Sequence, residues 1–220
     1  MTEPARNDQP RDVRILPVGL DGILGVPDAA AGLVLFAHGS GSGRLSPRNN
    51  YVAAALREAG LATLLFDLLT DDEAADRRNV FDIELLADRL AIATGWARQQ
   101  LDLAQLSIGY FGASTGAAAA LVAAARNPDD VAAVVSRGGR PDMAGPALDQ
   151  VRAPTLLIVG GHDAGVMELN ADAFAKLRCE KSLEIVPGAT HLFEEPGALD
   201  RVIDLARQWF ARHLTARSVA

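Results

Sequence analysis

Ser114 stands in the stretch Gly112-Ala113-Ser114-Thr115-Gly116, a Gly-x-Ser-x-Gly pattern. A serine hydroxyl attacks a carbonyl only when a nearby base takes its proton. Histidine suits that role because it titrates near neutrality. A carboxylate must then hold the histidine in one tautomer and stabilise the imidazolium that forms. Two residues further along fit these parts: Asp163, in Val159-Gly160-Gly161-His162-Asp163, and His191, in Pro187-Gly188-Ala189-Thr190-His191. The order serine, acid, histidine is one in which such sites occur. The chemistry on offer is acyl transfer through a covalent acyl-serine.

That chemistry also needs N–H donors placed where an oxyanion develops. The backbone N–H of Thr115, the residue after the nucleophile, is one candidate. The N–H of Ser40, in the loop His38-Gly39-Ser40-Gly41-Ser42-Gly43, is the other. The same loop lacks the following Lys-Ser/Thr of a P-loop and the spacing of a dinucleotide fingerprint, which argues against nucleotide binding.

The chain has four histidines and one cysteine. His213 falls near the end of the last helical stretch and reads as a surface residue. His162 adjoins the candidate acid and points away from it. His38 reads first as a residue bonding the loop backbone and second as a substrate contact. Asp67 ends a strand but precedes the serine, so it reads as a loop residue. Glu194 and Glu195 read as solvent-facing or helix-capping. Arg44, Arg48, Arg137 and Arg140 read first as solvated arginines. Arg44 and Arg48, after the Gly/Ser loop, and Arg137 and Arg140, flanking Gly138-Gly139, could also receive a substrate carboxylate, Arg44 and Arg137 foremost. Cys179 reads as a small, partly buried apolar residue, which leaves no intramolecular disulfide and no cysteine-based metal site. No cofactor or metal is called for.

These residues need elements to position them. Short apolar runs mark strands buried on both faces: 33–37, 61–67, 106–111, 131–136 and 155–160; 181–186 reads as a further strand. Two further strands, 13–18 and 20–26, are expected to form an antiparallel edge joined near Gly19–Gly22. Helical patterns cover 50–59, 80–101, 117–125, 166–177 and 198–214, with the first stopped by Gly60. Residues 68–79 read as an acidic loop, and 137–153 as Gly- and Pro-rich with at most a short helix. Strand and helix alternation implies a mostly parallel, doubly wound sheet with helices on both faces. In such sheets ligand sites form at the carboxyl ends of the strands. His38, Ser114, Arg137, Asp163 and His191 all follow a predicted strand.

At 220 residues the chain reads as one domain, 13–220, behind a flexible tail at 1–12. With 49% hydrophobic and 22% charged residues it reads as globular. Its 21 basic and 28 acidic residues give a net charge of −7, which argues against a nucleic-acid or anionic-membrane partner. The first residues carry no apolar core of a signal peptide. No apolar run approaches the ~20 residues of a membrane helix. A cytoplasmic protein is expected.

With Leu33–Gly43, Gly112–Gly116, Gly160–Asp163 and Gly188–His191 in place, the chain resembles the α/β-hydrolase superfamily, and most of all its small dienelactone-hydrolase-related members. The resemblance spans about residues 13–214. It implies an α/β-hydrolase fold and a Ser114–Asp163–His191 triad. Dienelactone hydrolases proper use a cysteine in the elbow, and here Ser114 stands there, so general carboxylic-ester hydrolysis is the inference. An aspartate nucleophile, as used in halide chemistry in this superfamily, is absent from the elbow. Only 137–154 lies where larger relatives insert a cap, so an open, shallow site without a cap domain is expected. The expected activity is a serine hydrolase acting on a small ester, lactone or thioester. Two other readings share the sequence: a non-catalytic binding module of the same fold, and an acyltransferase using the same triad. The expected partners are a small-molecule ester-type substrate and, as an option, a second copy in a homodimer.

Overall fold

A computed structural model describes residues 9–214 of the chain. Eight strands form one sheet: β1 (Arg11–Ile15), β2 (Leu20–Gly25), β3 (Gly32–Ala37), β4 (Ala62–Phe66), β5 (Ser107–Ala113), β6 (Val131–Arg137), β7 (Thr155–Gly160) and β8 (Lys181–Val186). Their order across the sheet is β1-β2-β4-β3-β5-β6-β7-β8. The β1–β2 and β2–β4 pairs are antiparallel and the rest are parallel. This is the α/β-hydrolase fold expected from the apolar runs, with the expected antiparallel edge. The strand β3 is buried throughout, as are β4, β5 and β7.

Six α-helices accompany the sheet: α1 (Pro47–Glu58), α2 (Asp71–Ala74), α3 (Ile83–Arg98), α4 (Thr115–Arg126), α5 (Ala164–Lys176) and α6 (Ala198–His213). Two hydrophobic layers lie on opposite faces. Residues of α3, α4 and α5 build one, and residues of α1 and α6 build the other. The helix α4 is buried on nearly every side, which explains its run of Ala, Leu and Val. Close contact on the other face depends on Gly109, where a Cβ would lie 2.7 Å from Phe210 Cε1 of α6. No helix among the described residues is long and apolar enough to cross a membrane.

The structure moves several expected boundaries, each for a local reason. The β1–β2 turn falls at 16–19 and Gly19 takes φ 81°, where a turn at Gly19–Gly22 was expected. Pro17 in the expected first strand has no N–H to give a ladder. The strand β1 starts at Arg11, inside the tail expected at 1–12; residues 1–8 of that tail lie outside the described residues. The helix α1 starts at Pro47 because the Ser46 side chain caps it, accepting from Asn49 N–H at 3.4 Å. The expected loop 68–79 contains α2, nucleated by a reciprocal capping box between Thr70 and Glu73. Asp82 caps α3, so that helix begins three residues later than its apolar pattern. Residues Pro141–Gln150 form a 3₁₀ segment broken at Gly145, in keeping with the Gly/Pro content.

Placing a methyl group at Gly109 should force Phe210 aside. Gly109→Ala is expected to lower the unfolding free energy by about 1–3 kcal/mol, with part of the loss recovered in Gly109→Ala/Phe210→Leu. Urea unfolding of the three proteins checks this; equal midpoints would contradict the packing described.

Candidate active site

The turn after β5 carries Ser114 at φ 50°, ψ −123°, a left-handed conformation that non-glycine residues rarely adopt. Such a conformation costs of order 1–3 kcal/mol and persists only where the surroundings dictate it. Here four contacts dictate it. Ser114 O accepts from Ala117 N–H at 3.1 Å and from Arg140 N–H at 3.0 Å. A Cβ at Gly112 would lie 2.5 Å from Ala117 Cα, so only glycine lets α4 fold back on β5. A Cβ at Gly116 would strike the carbonyl oxygens of Ala37 and His38, so only glycine lets α4 start against the end of β3.

The loop after β7 carries Asp163. It is the N-cap residue of α5, yet its side chain makes no capping bond. Its carboxylate Oδ2 instead accepts from His191 Nδ1–H at 2.7 Å. That bond puts the proton on Nδ1 and leaves Nε2 as the free, basic nitrogen. The two loops are stitched by His162 N–H donating to Ala189 O at 2.9 Å. Gly160 makes room for the crossing, since a Cβ there would lie 2.7 Å from Thr190 O. Behind His191, Phe193 is buried at φ 56° and anchors the loop. In front, Gly138 brings the end of β6 against it; a Cβ there would lie 3.0 Å from His191 O.

Ser114, His191 and Arg137 line one cavity of about 510 Å³, with Gly39–Gly43 and the start of α1 as the other wall. Gly39 lies directly against the serine: a Cβ there would lie 2.9 Å from Ser114 Cβ. The His191 side chain is 39% exposed, so the cavity opens to solvent. Ser114 Oγ makes no hydrogen bond among the described residues. Pairs of this kind often tighten only when substrate is bound.

Thr115 begins α4, where the first N–H groups have no intrahelical acceptor and the helix dipole is positive. Ser40 N–H, the other expected donor, points at Thr115 Oγ1 at 3.2 Å. The hydroxyl of Thr115 thus pins the Gly/Ser loop to the elbow, an arrangement no sequence pattern had suggested.

The remaining expected residues divide. His38 does not line the Ser114 cavity. Its Nδ1–H donates to Gly39 O at 3.0 Å and its Nε2 accepts from Leu68 N–H at 3.0 Å, the backbone role read first. Arg44 is drawn away from the cavity. Its guanidinium pairs with Asp67 Oδ2, and its N–H donates to Asp67 Oδ1 at 2.7 Å. Asp67, read as a loop residue, is therefore a fastener for the Gly/Ser loop. Arg48 pairs with the exposed Glu194 at 2.7 Å. Arg137 corrects the reading of a solvated surface arginine: it is 8% exposed. His213 is also corrected, since its ring packs on Trp209 and is largely buried.

Burial pushes the His38 ring below the usual histidine range, against the opposing effects of Gly39 O and Asp67. Burial lowers His213 too. Both rings are neutral in the fold and take protons more readily once unfolded. Their contribution is complete above the unfolded value of about 6.5 and is lost as pH falls through the lower folded values. Unfolding free energy should drop between pH 7.5 and 5.5, and His38→Gln should flatten that drop. Chemical denaturation across this range is the measurement; an unchanged slope in the variant would refute the assignment to His38.

A crystal structure of dienelactone hydrolase from Anabaena variabilis superposes with a TM-score of 0.90 at 56% identity, covering 94% of this chain and 99% of that one. Est1E from Butyrivibrio proteoclasticus, solved with ferulic acid bound, shares the fold at TM-score 0.79 and 18% identity, over 92% of this chain and 98% of its own. A Mycobacterium tuberculosis protein carrying the provisional name phosphoribosyl transferase is 59% identical over 212 residues, 96% of this chain and 48% of that protein. The chain spans about half the length of the curated relatives it matches. Residues 20–212 match the dienelactone hydrolase family, and the chain belongs to that family.

Proposed function

We propose that the chain is a serine hydrolase that cleaves a small carboxylic ester, lactone or thioester. The observation carrying this reading is the His191–Asp163 bond at 2.7 Å beside a serine held at φ 50° on the same cavity. Ser114 Oγ attacks the carbonyl carbon while His191 Nε2 takes its proton. Asp163 keeps Nδ1 protonated and stabilises the imidazolium. The oxyanion is received by Thr115 N–H and by the Gly/Ser loop, where Ser40 N–H would exchange Thr115 Oγ1 for the substrate oxygen. His191 returns the proton to the leaving group. Water, deprotonated by the same nitrogen, then releases the acid and restores Ser114.

Membership in the dienelactone hydrolase family supports a hydrolase, and the serine in place of a cysteine supports esters beyond dienelactone. The transferase name belongs to proteins about twice this length, and the residues described here form a set for acyl chemistry. Only 138–154 separates β6 from β7, which favours short or solvent-reachable acyl groups over long buried ones. A cytoplasmic setting completes the proposal.

Purified protein should hydrolyse 4-nitrophenyl acetate and take a fluorophosphonate on Ser114, seen by mass spectrometry. Ser114→Ala should lower kcat by roughly 10³-fold or more, and Asp163→Asn by about 10⁴ through the wrong histidine tautomer. A wild type no faster than buffer, with Ser114 unlabelled, would sink the reading and favour a binding module. Product carrying an added alcohol in place of water would mark an acyltransferase.

A further inference from the structure

Arg137 is the last residue of β6, paired in register with Ala113 beside the nucleophile. It is 8% exposed and lines the Ser114 cavity. Its Nε and Nη1 are buried without any hydrogen-bond partner. The ring of Phe193 lies beside it, with Cζ 6.0 Å from the centroid. A buried guanidinium without a carboxylate is costly, since the lost hydration is not replaced. Burial, with Arg48 nearby, brings it down to about 10, still cationic at neutral pH.

The rest of the cavity wall has the same sign. Arg48 lines it, although Glu194 offsets part of that charge from the solvent side. Ser46 and Pro47 line it as well, so the positive end of the 12-residue helix α1 faces inward. Among the described residues that line the cavity none is a carboxylate, and Asp163 behind it is committed to His191. An arginine fork offers paired N–H donors that match a carboxylate or phosphate.

We propose that Arg137, backed by Arg48 and the N-terminus of α1, is an anion subsite of the Ser114 cavity, so that the ester cleaved there carries a carboxylate or phosphate group close to the scissile carbonyl. This deepens the hydrolase reading and rests on it for the word ester, while anion binding itself does not. The anion replaces the hydration that Arg137 loses on folding. It also fixes the carbonyl over Ser114, so the subsite contributes to orientation as well as to affinity.

Two measurements test this. In the first, mono-4-nitrophenyl glutarate is compared with the uncharged 4-nitrophenyl butyrate. The wild type should favour the glutarate ester in kcat/KM. Arg137→Gln should reduce that preference by about ten- to a hundredfold, as for a lost charge-assisted hydrogen bond, and Arg137→Lys should restore part of it. Equal effects on both esters, or no preference in the wild type, would overturn the proposal. In the second, thermal melting is followed with added inorganic phosphate or glutarate. Either anion should raise the midpoint of the wild type and leave Arg137→Gln unmoved, and the larger shift tells phosphate from carboxylate. Arg137→Gln alone should melt higher than the wild type, because a buried unpaired charge is gone. A lower midpoint together with no anion shift in the wild type would overturn the subsite. If neither ester is turned over, the hydrolase reading falls, and the melting shift still decides the subsite.

Discussion

The close approach of α4 to the end of β3 is the constraint on which the site depends. Gly116 sits against the carbonyls of Ala37 and His38 with no room for a side chain. That contact sets where α4 can begin, and α4 sets the backbone of Ser114. The strain at φ 50° is local, and the stability that holds it is spread over the buried faces of β5 and α4. The serine hydroxyl is thereby presented at one fixed place over the sheet. Its neighbours arrive by the same logic, each on a loop just past a parallel strand. Gly160 and Gly138 let those loops approach without side-chain collision. A site assembled from five strand ends needs little reorganisation when substrate enters, which is where electrostatic catalysis gains most.

Much of this was legible in the chain because it rests on residue types with few alternatives. A Gly-x-Ser-x-Gly turn between an apolar run and an Ala-rich run admits few folds. Unbroken stretches such as Leu33–Ala37 and Thr155–Gly160 have no polar face and must be covered twice. The order Ser114, Asp163, His191 then places acid and base past later strands of the same sheet, and the structure brings Asp163 and His191 together. What was not legible depends on partners remote in sequence. Arg137 looks like any loop arginine until Phe193 and the His191 loop cover it. Arg44 looks available to a ligand until Asp67, at the end of β4, takes it. The Ser40–Thr115 bond spans two strands and has no local signature. Local signals were also present and outweighed by hydrophobic spacing: Ser46-Pro47 opens α1, and Thr70 with Glu73 opens α2.

Within the cavity the charges are divided. The half formed by β7 and β8 holds the histidine hydrogen-bonded to its own carboxylate. The half formed by β6 and α1 holds cations, one of them with both inner nitrogens unpartnered. A ligand entering meets a base on one side and a positive field on the other. Family membership gives the fold; this division of charge is particular to the side chains of this chain.

The Gly/Ser loop over the serine is a glycine-rich segment that by composition would be the first part to loosen on warming. It is instead tied at three points: His38 to Leu68, Ser40 to Thr115, and Arg44 to Asp67. Two ties end on Asp67 and Leu68, just past β4, and one on Thr115, the first residue of α4, so the loop is coupled to both elements. Its order belongs to the cooperative unit that includes β4 and β5. Loss of the site's geometry on heating and loss of the global fold should then be one event, with no temperature range in which the fold persists with a slack loop over Ser114.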